Sequence, residues 1–348
     1  MNRILPQQPT KHSVLTDMFA RTISYLRLSL TDRCNLRCMY CVTEDEKDGH
    51  LVKLGQGEIL TYEELLRVVR VAVEMGISKL RLTGGEPLVR HNIMHFIDSL
   101  AAIDGLDDIR ITTNGVLLEK YGQGLIDAGV TKVNISLDTL KRERFAEITG
   151  VDCFDKVWRG IEKALAVGFS PVKLNMVVMR NINDDELLDF ARMSQEMPLQ
   201  VRFIEFMPIG TSTRWNTDTY ITSDEIMQRF TGLGELLPLE RRQADGPAKV
   251  FKLGNDAVGS LGFISPISHH FCDRCNRLRL TSEGRLRSCL LHDEETDLKS
   301  VLRAGCSDAD IRTTLLTAIR NKPKGHEMAQ RLKEQGGDCH GRMSRIGG

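Results

Sequence analysis

Apolar positions along this chain recur in two alternating rhythms. Short β-favouring runs fall at residues 23–30, 77–83, 108–113, 131–137, 172–179 and 200–207. Helical patterns lie at 62–75, 93–102, 117–128, 142–148, 155–167 and 184–196. In the first of these, Leu65, Leu66, Val69 and Val73 follow a helical period. Thr61 and Glu64 stand where a capping box would start it. Gly76, Gly129 and Gly168 each sit just past a helical pattern, where a C-terminal glycine is favoured. Strands alternating with helices predict an α/β fold with a parallel sheet and right-handed crossovers. Six such units are too few to close an eight-stranded barrel. The expected architecture is therefore a partial, open (βα)6 TIM-type barrel. The rhythm stops near residue 240. We therefore expect an N-terminal extension at 1–22, the barrel at 23–240, and a C-terminal region at 241–348 closing the open side.

Composition narrows this picture modestly. The chain has 348 residues, with 47 basic side chains against 47 acidic ones, and a pI near 7.1. Global charge gives no argument for a nucleic-acid or membrane partner. Any anionic ligand must be held by local basic residues. Nine cysteines lack the density of a disulfide scaffold. A reducing, cytoplasmic setting is expected. No apolar run reaches bilayer length, and the first twenty residues hold no sustained apolar signal core.

Chemistry gathers at the carboxyl ends of the expected strands, where ligands collect in such sheets. Cys34, Cys38 and Cys41 follow the first strand with C-x3-C-x2-C spacing. Three thiolates this close can hold a cubane iron–sulfur core and leave one iron without a protein ligand. The alternative is a zinc site or three unrelated thiols. Gly84-Gly85-Glu86-Pro87 ends the second strand, as a tight turn or as a close backbone approach to a ligand. Tyr40 stands between two of the cysteines, to pack on a nucleobase or in the core. A second triad, Cys272, Cys275 and Cys289, lies in the C-terminal region. It fits a second cluster, or a zinc completed by His269, His270 or His292. Arg274, Arg277, Arg279, Arg285 and Arg287 crowd the same stretch, and arginine matches phosphate bidentately. That favours a nucleotide held beside the second metal centre. Cys153, Cys306 and Cys339 read as structural or incidental thiols.

The first triad and the glycine motif, from Arg27 to about Met207, resemble the radical S-adenosylmethionine superfamily. The second triad and its arginines extend the likeness to the C-terminus, where the chain is similar to the GTP 3′,8-cyclase family of molybdenum cofactor biosynthesis. This resemblance implies two [4Fe-4S] clusters and S-adenosylmethionine. It implies cofactor contacts at Tyr40, Gly85, Ser136 and Met207. It implies GTP contacts at Arg27, Arg81, Thr112, Lys173, Arg277, Leu278 and Arg279. The implied reaction is radical cyclisation of GTP through hydrogen abstraction from ribose C3′. An electron donor, a homodimer, and product transfer to cyclic pyranopterin monophosphate synthase come with it. The Gly347-Gly348 pair looks like the family's diglycine tail, expected to enter the active site. The same residues allow two other readings. A peptide-modifying radical enzyme would carry more grouped cysteines in its C-terminal region. A zinc or nucleotide-binding module without activity would hold one or two zincs in place of iron.

Overall fold

Six parallel strands form where the alternation of apolar positions puts them. They are β1 (Tyr25–Ser29), β2 (Lys79–Thr83), β3 (Asp108–Thr113), β4 (Lys132–Ser136), β5 (Val172–Val178) and β6 (Leu199–Glu205). The structure is a computed structural model that describes residues 15–41, 53–210, 215–240, 246–328, 339 and 341–347. Residues 1–14 of the expected N-terminal extension, and Gly348 of the expected tail, lie outside the described residues. Helices Tyr62–Glu74, Ile93–Ala101, Leu118–Asp127, Arg142–Thr149, Phe154–Ala166 and Leu187–Glu196 fill the connections. The last begins later than the pattern suggests, because Asp184–Glu186 winds as a 3₁₀ turn. The capping box of the first helix is present. Thr61 Oγ1 accepts from the Glu64 amide at 3.2 Å, and Glu64 Oε2 accepts from the Thr61 amide at 2.7 Å.

Strand alternation sorts side chains into two layers. Leu26, Leu28, Leu80, Leu82, Ile109, Ile111, Val133, Ile135, Val172 and Leu174 belong to the main apolar core with the helices. The intervening positions carry Tyr25, Arg27, Lys79, Arg81, Arg110, Thr112, Asn134 and Asn175, which line a cavity. Parallel strands covered on both faces ordinarily read as near-continuous apolar runs. Here the inner face is polar and cationic, so the interior is built for a ligand and not for packing.

The C-terminal region does more than lie against the opening. It adds β7 (Leu236–Pro238), β8 (Lys249–Leu253), β9 (Ser260–Ile264), β10 (Arg277–Leu280), β11 (Arg285–Arg287) and β12 (Glu295–Asp297) to the same sheet. The order is β12-β11-β10-β1-β2-β3-β4-β5-β6-β9-β8-β7. β10 pairs parallel with β1, and β9 pairs parallel with β6. The parallel run therefore extends one strand beyond the expected six on each side. β9 and β10 do not pair with each other, so the barrel stays open. Because these two strands end the parallel run on its two sides and point the same way, residues 265–276 must return from the carboxyl end of β9 to the amino end of β10. That return crosses the gap and carries Cys272 and Cys275. The expected division at residue 240 falls between β7 and β8, which form one antiparallel pair.

Among the described residues, no helix is long and apolar enough to cross a membrane.

Candidate functional site

Two cavities occupy the barrel interior. One, of about 220 Å³, is lined by Cys34, Cys38, Cys41, Tyr40, Gly84, Gly85, Ser136 and Asp138. The other, of about 210 Å³, is lined by Cys272, Cys275 and Cys289 with Arg27, Arg81, Arg277 and Arg279. Thr112, Asn175, Ile204, Met207 and Met343 line both, so the two spaces share a wall. Each cysteine triad has one cavity.

The loop carrying the first triad is held by backbone contact. A Cβ on Gly85 would stand 2.5 Å from the Arg33 carbonyl oxygen, and one on Gly84 would stand 2.7 Å from that of Thr31. The Gly85 amide donates to the Thr31 carbonyl at 2.7 Å, and the Glu86 amide donates to that of Arg33 at 2.9 Å. The glycines therefore serve the close approach of two main chains just before Cys34. Glu86, fully buried, accepts from Thr113 Oγ1 at 2.8 Å, the Asn114 amide at 2.7 Å and the Leu88 amide at 3.0 Å. Burial pushes its carboxyl up to about 7 despite these donors. Asn114 in turn donates to Asn35 Oδ1 at 2.8 Å and faces Cys34 Sγ at 3.6 Å. Tyr40 donates to Asp138 Oδ2 at 2.7 Å, and Asp138 Oδ1 accepts from the Val177 amide at 2.8 Å. The tyrosine thus ties the loop to the tops of β4 and β5 while its ring packs beside Phe206 and Met179. Tyr40 therefore packs in the core on one side and lines the cavity on the other.

The thiols of each triad influence one another. Burial first, then Cys41, Asp138 and Cys34, hold Cys38 well above the ordinary thiol range. Burial pushes Cys34 up to about 11. At the second triad, burial alone would raise Cys275, but Arg277 and Lys322 beside it bring it down to about 6. Among the described residues, no three His, Cys, Asp or Glu side chains converge tightly enough for a single metal ion. A tetrahedral zinc draws its ligands to about 2.0–2.3 Å from one centre. Thiolates are the normal ligands of a four-iron core, so the donor set of each triad is chemically fit for a cluster. The three nearby histidines make contacts of their own. His269 Nε2 lies 2.6 Å from Asp224 Oδ2, the His270 ring packs edge-on to His326, and His292 Nδ1 accepts from the Glu294 amide.

The lower cavity is strongly positive. Arg27, Lys79, Arg81, Arg110, Arg202, Arg274, Arg277 and Arg279 line it, and its described lining includes no carboxylate. Register explains the convergence: Arg279, Arg27, Arg81 and Arg110 stand side by side across β10, β1, β2 and β3. Burial and then its neighbour Arg279 hold Arg27 well below the arginine range, and burial and Arg277 bring Arg279 down to about 10. Cations that depress one another inside a low-dielectric space suit an anionic ligand. Arg81 is aimed by a hydrogen bond to the Tyr25 hydroxyl and one to Thr112 Oγ1 at 3.2 Å.

Most of the expected site residues meet at these walls. Tyr40, Gly85, Ser136 and Met207 line the upper cavity; Arg27, Arg81, Thr112, Arg277 and Arg279 line the lower one. Lys173 and Leu278 do not line either. Lys173 sits two residues before Asn175 on β5, between Asn134 and Gln200 in register. Leu278 alternates with the two arginines and packs its side chain in the main core. The five arginines also divide. Arg285 pairs with Asp297 at 3.3 Å, and Arg287 with Glu295 at 3.2 Å and Asp293 at 3.3 Å, leaving Arg274, Arg277 and Arg279 for the cavity. Asn175, which no motif marks, lines both cavities, and its Oδ1 is buried without a hydrogen-bond partner among the described residues. Its only sequence signal is a polar residue at an inward position, paired with Ser136 across the sheet.

The C-terminal segment enters this space. Met343 lines both cavities and Ser344 the upper one. The Gly347 carbonyl accepts from Arg279 Nη1 at 3.0 Å, and a Cβ there would lie 2.1 Å from Thr83 Oγ1. Arg345 pairs with Glu283 at 3.3 Å.

Comparison with known proteins follows this geometry. Residues 28–194 match the radical SAM superfamily, and residues 199–328 match Molybdenum Cofactor Synthesis C. A curated GTP 3′,8-cyclase of Thermodesulfovibrio yellowstonii is 49% identical over 312 residues, covering 89% of this chain and 95% of that protein. One from Moorella thermoacetica is 48% identical over 334 residues, covering 96% of this chain and 100% of that protein. Among solved structures, SuiB of Streptococcus suis bound to S-adenosylmethionine aligns with a TM-score of 0.61 at 14% identity, covering 93% of this chain and 76% of that one. That last likeness speaks for the fold alone.

Proposed function

The chain belongs to the GTP 3′,8-cyclase family of radical S-adenosylmethionine enzymes, and from that membership we infer how its two cavities divide the work. The reaction converts GTP to (8S)-3′,8-cyclo-7,8-dihydroguanosine 5′-triphosphate in molybdenum cofactor biosynthesis. S-adenosylmethionine, when bound, would supply the radical chemistry that removes the ribose C3′ hydrogen; closing the C3′–C8 bond then needs one electron, from the electron donor, and one proton to reach the 7,8-dihydro product. Cys34, Cys38 and Cys41 would hold one [4Fe-4S] cluster, and Cys272, Cys275 and Cys289 a second. When bound, the clusters supply the electron for S-adenosylmethionine cleavage and an open iron for each small-molecule partner.

The protein's own contribution is binding and orientation. S-adenosylmethionine would lie in the upper cavity against Tyr40, Gly85, Ser136 and Met207. The triphosphate of GTP would lie in the lower one, on Arg27, Arg81, Thr112, Arg277 and Arg279, with Lys173 and the Leu278 main chain completing its surroundings. The shared wall at Asn175 and Met207 would bring the two reactants together. Gly347, held by Arg279, would limit how the substrate turns, and the close walls would keep water from the radical. A cavity walled by cations, with a cysteine triad of its own, is the observation that carries this reading. A homodimer, an electron donor, a cytoplasmic setting and hand-over of product to cyclic pyranopterin monophosphate synthase follow the family's precedent.

Anaerobic, iron-reconstituted protein should be incubated with S-adenosylmethionine, dithionite and single nucleotides. We expect 5′-deoxyadenosine and cyclised product with GTP. Equal 5′-deoxyadenosine without any nucleotide, and no cyclised product, would overturn the assignment.

A further inference from the structure

Lys322 is the most deeply buried lysine beside either triad, at 3% exposure, and no motif singles it out. It lies just past the helix Asp308–Arg320, whose end fixes where its side chain begins. Its ammonium donates to the Arg277 carbonyl at 2.9 Å and to the Ser288 carbonyl. Arg277 is two residues past Cys275, and Ser288 immediately precedes Cys289. One cation therefore joins the two separate chain segments that carry two of the three thiols. Its positive charge, after that of Arg277, lowers the Cys275 thiol.

The segment is held from behind as well. Arg21 donates to the carbonyls of Pro323 at 2.7 Å, Lys324 at 3.0 Å and Cys272 at 2.9 Å, and is itself paired with Asp17 at 2.5 Å. This clamp fixes the stretch after Lys322 to the third thiol-bearing turn. Among the described residues no carboxylate pairs with Lys322; two backbone carbonyls hold its ammonium, and Cys275 and Cys289 are the nearby groups of opposite charge when ionised. A buried ammonium is costly without such a partner.

Resting on the two-cluster reading above, we propose that Lys322 is the built-in counter-charge of the second cluster, joining the Cys275 and Cys289 segments and making that cluster easier to reduce. A three-thiolate cluster gains negative charge on reduction, and net charge with hydrogen bonds to sulfur are levers on its potential. A fixed positive charge beside the cluster favours the reduced form. Lys322 is a positioning residue in this account, since it acts through the ligands.

The experiment uses reconstituted full-length protein with Lys322→Gln and Lys322→Arg. Iron content and an EPR-monitored redox titration are read for each. Lys322→Gln should keep its iron and move the second cluster's midpoint to more negative potential, leaving the first cluster's unchanged. Lys322→Arg should stay near wild type. A wild-type midpoint in Lys322→Gln overturns the proposal. If Lys322→Gln loses the second cluster, Lys322→Arg decides: retained iron at a wild-type midpoint supports the counter-charge, and equal loss in both assigns the residue to packing. Only one cluster signal in the wild type would instead defeat the two-cluster reading.

Discussion

Single residues in this barrel are set by what their strand neighbours force on them. Arg277 and Arg279 alternate with the core residue Leu278, so both point to the cavity while Leu278 anchors the strand. A hydrogen bond to a charged group contributes about 1.5–3 kcal/mol. Arg277→Ala or Arg279→Ala should therefore weaken GTP binding about tenfold or more, while S-adenosylmethionine binding stays near normal. Calorimetric titration of both ligands checks this, and unchanged GTP affinity in both variants would contradict the site. Glu86 makes a different demand. Its carboxyl stands near 7 in the fold, above its ordinary 4.5, because burial disfavours the charge. Folding thus favours the protonated form. The stability it contributes is whole below about pH 4.5 and is lost as pH rises through about 7. Thermal melts of wild type against Glu86→Gln, which stays neutral, should show the wild type losing ground between about pH 4.5 and 7, the ordinary and folded values of the carboxyl. A pH-independent difference would show the carboxyl ionised throughout.

Elements are joined here by main chain as much as by side chains. The turn after β2 meets the loop after β1 so closely that a methyl group on Gly85 would strike two carbonyl oxygens, at 2.5 and 2.9 Å. Backbone cannot give way as a flexible side chain does. Gly85→Ala should displace the loop bearing Cys34 and lower the iron retained by the first triad, with the second triad's iron kept. Gly57→Ala is the control, since a Cβ there meets nothing within 4 Å. Equal iron in both variants would show that the close approach does not hold the loop.

At the scale of the whole molecule, the C-terminal region completes the barrel from three directions. It supplies β9 and β10 at the edges, the second triad across the gap, and the last residues inside. Gly347 reaches Arg279 across 68 positions of sequence. A chain ending at Ile346 keeps every cysteine and every cavity arginine. It should retain both clusters and bind GTP, yet lose most of the cyclised product, because the substrate is less closely oriented. Full product from that truncated chain would show the tail dispensable.

The sequence by itself determined the strands and helices of the barrel, since local periodicity follows from one buried face per element. It also marked both triads and Arg27, Arg81, Arg277 and Arg279, because clustered thiols and charges inside strands have few other uses; Arg110 and Arg202, which line the same cavity, carried no motif. β9 and β10 were hidden: both are short, and the Arg-Leu alternation of β10 reads as a basic stretch until β1 pairs with it. Only the tertiary structure separated Arg285 and Arg287, paired on their own hairpin, from the arginines of the cavity. Only it gave Glu86, Asn175 and Lys322 their places. What a buried polar group does depends on partners brought by distant segments, as when Arg21 meets Lys324 across 303 positions. Such partners are fixed by packing and leave no periodic trace in the chain.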